Sequence, residues 1–152
     1  MARAGFTAIH SGTITFGRDG RWYCDGEAIT NRAICRLYAR SMTIDPDGTA
    51  RLQFGEDRAT VRLEDTPWVV VGVEGDPARG FTVRLNDESS EPLDPTSLRV
   101  SADHVLYCRV KGSHSARFLR PAYYALMRHV EPDGGGGVLR AGALRVRLPG
   151  SG

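Results

Sequence analysis

Tyr23-Cys24, then Gly26, an Arg-rich stretch, and Ile44-Asp45-Pro46-Asp47-Gly48: this order of features recurs as Tyr107-Cys108, Gly112, a second Arg-rich stretch, and Val130-Glu131-Pro132-Asp133-Gly134. The Tyr-Cys pairs lie 84 residues apart and the Pro-Asp-Gly triplets 86 apart. A supersecondary unit used twice predicts two related halves, residues 11–76 and 77–152, and two halves make an interface where a ligand can sit.

Outward from the first Tyr-Cys pair, Thr13-Ile14-Thr15-Phe16 alternates as a strand does, and Asp19-Gly20 signals a hairpin turn into Arg21-Trp22-Tyr23-Cys24. Residues up to about His10 read as a loose arm. Thr30 is the expected N-cap of a helix, with Ile29 stapled onto Ile34. Ala33, Ile34, Leu37 and Tyr38 form its apolar stripe. Pro46-Asp47-Gly48 closes this unit. Thr49–Phe54 and Ala59–Leu63 then alternate, and Trp68–Val73 is continuous and apolar, as a strand buried on both faces is. In the second half Pro121 is expected at the first position of a helix, with Arg120 as cap and a Leu119/Tyr124 staple. That helix runs to about His129 or Val130. The glycines at 134–137 read as a flexible connector, and Val138–Leu148 as a hairpin pivoting near Gly142. Few helices and many short strands give an α+β fold with a largely antiparallel sheet.

The chain has 152 residues, 41% of them hydrophobic and 25% charged, enough to bury a core. A net charge of +2 argues against a strong nucleic-acid clamp. Charge is uneven, however. Between Arg99 and Arg147 only three acids, Asp103, Glu131 and Asp133, oppose nine basic residues, so the C-terminal third is an expected anion-facing surface. Lys111 is the one lysine among 20 basic residues; the bias towards Arg covers the whole chain, as a GC-rich coding sequence would produce. Cys24, Cys35 and Cys108 are odd in number and contain no C-x-x-C, which reads as free thiols in a reducing compartment. The first residues lack an apolar signal core and no run reaches spanning length, so a cytoplasmic protein off the membrane is expected.

The chain resembles the bacterial domain-of-unknown-function family 1285. The likeness runs from about Ile14 to Leu148. It is carried by Gly20-Arg21-Trp22-Tyr23, Glu64-Asp65-Thr66-Pro67-Trp68-Val69-Val70, Thr82 with Asn86, Leu98-Arg99-Val100, and Arg120-Pro121-Ala122-Tyr123-Tyr124. Lys111 departs from the family's usual Arg. The resemblance implies an internally duplicated core, a second half loosely like a pleckstrin-homology fold, and a ligand cleft between the halves.

The stretch Arg117-Phe118-Leu119-Arg120-Pro121-Ala122-Tyr123-Tyr124 interleaves cations with aromatics at a helix start. Tyr faces stack on bases, Arg grips phosphate, and a helix N-terminus offers free N–H groups. Arg117, Arg120, Tyr123 and Tyr124 are therefore the expected lining of an anion or nucleotide site, with Trp22 as a stacking platform and Asn86 as a further contact. The plainer readings are a core Tyr124, an acid-paired Arg120, an inward Trp22 and a turn at Asn86-Asp87. His10, His104, His114 and His129 show no metal spacing, and the four glycines are not followed by Lys-Ser/Thr, so no metal, cofactor or P-loop is expected. Cys108 with His104 is a poor nucleophile pair, because no third residue orients it. No catalytic residue is assigned. The expected function is a non-enzymatic small-ligand-binding or regulatory module in signalling, taking an anionic or nucleotide-like molecule. The alternative is a protein-interaction module that docks a partner through a sheet edge or helix face.

Overall fold

A computed structural model of the chain describes residues 12–149. The expected N-terminal arm lies outside them. The chain divides into two compact units between Pro67 and Trp68. The expected boundary at 76/77 falls at the far end of the strand Trp68–Asp76, which belongs to the second unit because it pairs there on both sides.

The first unit holds β1 (Ile14–Phe16), β2 (Trp22–Cys24), β3 (Glu27–Ala28), α1 (Arg32–Ser41), β4 (Met42–Ile44), β5 (Ala50–Phe54) and β6 (Asp57–Leu63). Its six-stranded sheet has the order β3-β2-β1-β6-β5-β4. Two three-stranded meanders meet at a parallel central pair, Ile14 beside Val61 and Phe16 beside Leu63. A parallel pair needs a crossover, and α1 supplies it. Asp25 and Gly26, at φ 52° and 85°, make the tight β2–β3 turn. Pro46-Asp47-Gly48 does not close the unit. It turns β4 into β5, with Asp47 Oδ1 accepting from Thr49 N. The core is an aromatic run: Phe16 on Trp22 at 4.8 Å, Trp22 on Tyr38 at 5.5 Å, Tyr38 on Phe54 at 5.9 Å.

The second unit holds β7 (Trp68–Asp76), β8 (Gly80–Leu85), β9 (Ser90–Pro92), a single 3-10 turn (Pro95–Ser97), β10 (Arg99–Val100), β11 (Leu106–Val110), β12 (His114–Phe118), α2 (Arg120–Met127), β13 (Glu131–Asp133), β14 (Gly136–Ala141) and β15 (Leu144–Leu148). Strands β10-β11-β12-β7-β8-β9 form a second six-stranded sheet, and β13-β14-β15 a small third one. In the six-stranded sheet β12 lies parallel to β7, and its other neighbours are antiparallel. Only Trp68, Val69 and Val70 of the apolar run are fully buried. The pairing with β8 then slips between Val70 and Gly72, and the strand emerges.

The expected duplication is present, as two sheets of one topology in an α+β fold. Its register is not the one marked by the Tyr-Cys pairs. Strands β1 to β6 correspond in order to β7 to β12. Tyr23-Cys24 lies in β2, whose counterpart is β8, whereas Tyr107-Cys108 lies in β11, whose counterpart is β5. The helices are not equivalent either. The crossover α1 corresponds to the 3-10 turn capped by Asp94, while α2 follows the completed sheet and packs on β7 and β12. The Tyr-Cys signal marks a meander followed by a helix; sheet closure chooses other strands.

Candidate ligand-binding site

In the second unit α2, the β10–β11 turn and the small third sheet enclose a cleft of about 280 Å³. Tyr123 and Met127 are one helical turn apart, so both face it. Val100, Val130 and Leu148 add apolar wall, and His104 stands at its edge. Among the described residues, Tyr123 and His104 are the only lining side chains with nitrogen or oxygen atoms, and none of the lining side chains is an acid, Lys or Arg. His104 is placed by a left-handed backbone, φ 63°, in the turn where Ser101 N donates to Val105 O at 2.9 Å.

Glycine builds the floor. The four glycines are not a flexible connector. Gly134 and Gly135, at φ 55° and 88°, form a two-residue hairpin turn from Asp133 to Gly136. Gly137 lines the cleft bare, since a Cβ there would fall 2.3 Å from Val130 Cγ1.

The residues expected at an anion site scatter. Trp22 is no stacking platform. It is 2% exposed in the first unit, wedged between Phe16 and Tyr38, because its alternate strand position points inward. Asn86 is a clamp on β7: its Oδ1 accepts from Val69 N at 3.1 Å, and its own N donates to Val69 O at 3.2 Å. Its Nδ2 is buried with no hydrogen-bond partner among the described residues. Arg117 lies in β12, level with Tyr107 and Val69, and the Arg99 guanidinium covers the Tyr107 ring at 4.2 Å. Arg120 is not the cap of α2. Leu119 is, without a side-chain hydrogen bond, so Arg120 is the first helical residue and Pro121 the second. That shift puts Tyr123 in the cleft and turns Tyr124 outward at 60% exposure, overturning the Leu119/Tyr124 staple. The two tyrosines still touch edge-on at 5.3 Å. The cleft residues His104, Val100 and Met127 carried no local signal. Of the glycines that shape it, only the cluster itself was visible in the sequence.

Lys111 is structural. It pairs with Asp87 at 2.9 Å and lies over the Trp68 ring at 5.2 Å. Burial raises the Asp87 carboxyl, but hydrogen bonds from Ser89 and Lys111 outweigh it and hold the group below its usual range.

Cys108 offers no nucleophile. His104 is off its strand, and burial, aided by the Glu91 charge, pushes the thiol up to about 12. At pH 8 roughly one thiol in ten thousand would be ionised. Ellman's reagent at pH 8 should therefore leave Cys108 unmodified in the folded protein and label it on unfolding, as peptide mapping would show. The unfolded thiol ionises near its ordinary value while the folded one stays neutral. Its contribution to stability is thus complete below about pH 8.5 and is lost as pH rises towards 12.

Among the described residues no group of three or more His, Cys, Asp and Glu gathers as a metal site, and no helix is long and apolar enough to cross a membrane. No family model matches the chain, and no curated protein matches it. Two solved structures do. A DUF1285 family protein from Silicibacter pomeroyi DSS-3 matches with a TM-score of 0.69 at 22% identity, over 93% of this chain and 85% of that one. A DUF1285 family protein from Shewanella baltica OS155 matches with a TM-score of 0.60 at 18% identity, over 78% of this chain and 92% of that one. The chain therefore has a DUF1285-like fold.

Proposed function

We propose that this chain is a non-enzymatic small-ligand-binding module with a regulatory role, and that its ligand occupies the cleft beside Tyr123. The observation that carries the reading is the cleft's make-up: apolar walls, a glycine floor, and two polar side chains placed to orient a guest. Such a lining suits a small molecule with an apolar body and one hydrogen-bonding group. The C-terminal third of the chain is net basic even with Arg109 tied to Asp94 and Lys111 to Asp87, which favours an anionic group on the guest. Three free thiols suit a reducing compartment, so the reading includes the cytoplasm.

The test is a thermal-shift screen of small aliphatic and aromatic carboxylates and phosphate monoesters. A true guest at a hundred times its Kd should stabilise the wild type by about 2.7 kcal/mol. Val100→Trp, which fills the cleft, should abolish the shift, and Tyr123→Phe should reduce it. If no compound shifts the wild type, or if Val100→Trp responds equally, the reading is wrong.

A further inference from the structure

The outer face of α2 carries a second surface, which shares only Met127 with the cleft. Arg120, Tyr124 and Arg128 stand one turn apart along it, at i, i+4 and i+8. Tyr124 is the most exposed large hydrophobic side chain among the described residues. With Pro121, Ala125, Met127 and Arg128 it borders a shallow groove. Neither Arg120 nor Arg128 has a side-chain ion pair among the described residues, and no acid occurs on the helix. An exposed tyrosine with arginines at both sides, beside a small apolar depression, is the composition in which interface energy concentrates.

We infer that this face docks an acidic segment of a partner protein, an apolar anchor flanked by carboxylates. The anchor enters the groove against Tyr124, and the carboxylates meet Arg120 and Arg128. Three other occupants fit less well. A second copy of this chain in a two-fold contact would set Arg120 and Arg128 against their own like charges. A nucleic-acid strand would leave the groove of Pro121, Ala125 and Met127 facing sugar and phosphate, and the whole chain carries only +2. A lipid surface needs a longer apolar face than these eight residues provide. The inference goes beyond the cleft reading and does not depend on the cleft's being filled.

The probe is a fluorescein-labelled synthetic peptide with a central Leu-Phe pair between two Asp-Glu blocks, titrated with the full chain at low salt and read by anisotropy. Controls are the same peptide with Ser in place of Leu-Phe, oligothymidylate of matched charge, and phosphatidylglycerol vesicles. Saturable peptide binding is expected, at least tenfold weaker for Tyr124→Ala, for the double variant Arg120→Glu with Arg128→Glu, and for the Ser peptide. Both variants alter exposed positions, and an unchanged circular dichroism spectrum and Tm confirm their fold. Absence of peptide binding, equal binding by both variants, or tighter binding of oligothymidylate or vesicles would overturn the inference. Val100→Trp should leave peptide binding unchanged, which separates this result from that of the cleft.

Discussion

Trp22→Ala should cost the first unit about 3–5 kcal/mol, as removal of a buried large aromatic does. The ring is 2% exposed and joins Phe16 on its own sheet to Tyr38 on α1. Without it α1 loses its main anchor, and a cavity is left that two flanking aromatics cannot close. A loss of that size is a large part of the 5–15 kcal/mol that holds a typical domain folded. Urea denaturation followed by circular dichroism checks it, and Trp68 remains as a fluorescent reporter of the second unit. A change below about 0.5 kcal/mol, the usual range for a surface site, would mean that Trp22 is not core. Tyr23 next to it offers the contrast. It is half-exposed and bonded through its hydroxyl to Asp19, so Tyr23→Phe should be near neutral.

The second large effect is expected at Leu126→Ala. This side chain is 0% exposed on the inward face of α2, and the helix rests on β7 and β12. Truncation should cost about 2–5 kcal/mol. It should also loosen the helix that carries Tyr123 on one side and Tyr124 on the other. Tyr124→Ala, two residues away on the outer face, should stay within about 0.5 kcal/mol. Equilibrium unfolding of the pair reads the difference directly. Equal stabilities would show that α2 is not held through Leu126.

The Tyr123/Tyr124 contrast also shows how far the sequence was legible. Both helices were visible from their starts, but each begins one residue away from the expected place. At α1 Thr30 and Asn31 are both good caps; Asn31 takes the position because its Oδ1 reaches Ala33 N and Ile34 N. Successive residues of a helix lie about 100° apart, so neighbours face different ways. Leu37 points outward at 47% exposure, and Tyr38 with Ala39 fills the core. At α2 the same kind of error exchanged the roles of two tyrosines. The hairpin pivoting at Gly142 was legible because Gly142 sits in the β14–β15 turn at φ 61°. The cleft was not legible. Its walls come from residues 100–104, 123–130 and 132–149, and no local pattern says that distant segments will face one another.

The closing pair of each sheet sets the order in which the chain can fold. In the first unit β1 can make its parallel pairing only with β6, and in the second β7 only with β12, so each centre waits for its last strand. Each meander can form as soon as it leaves the ribosome, but β1 and β7 keep one bare edge until some fifty residues have followed. Synthesis at about 5–20 residues per second leaves that edge open for seconds. During that interval the unfinished sheet can recruit a strand from a neighbouring chain, and a nascent chain stopped before β6 or β12 would be a template for aggregation rather than a smaller domain.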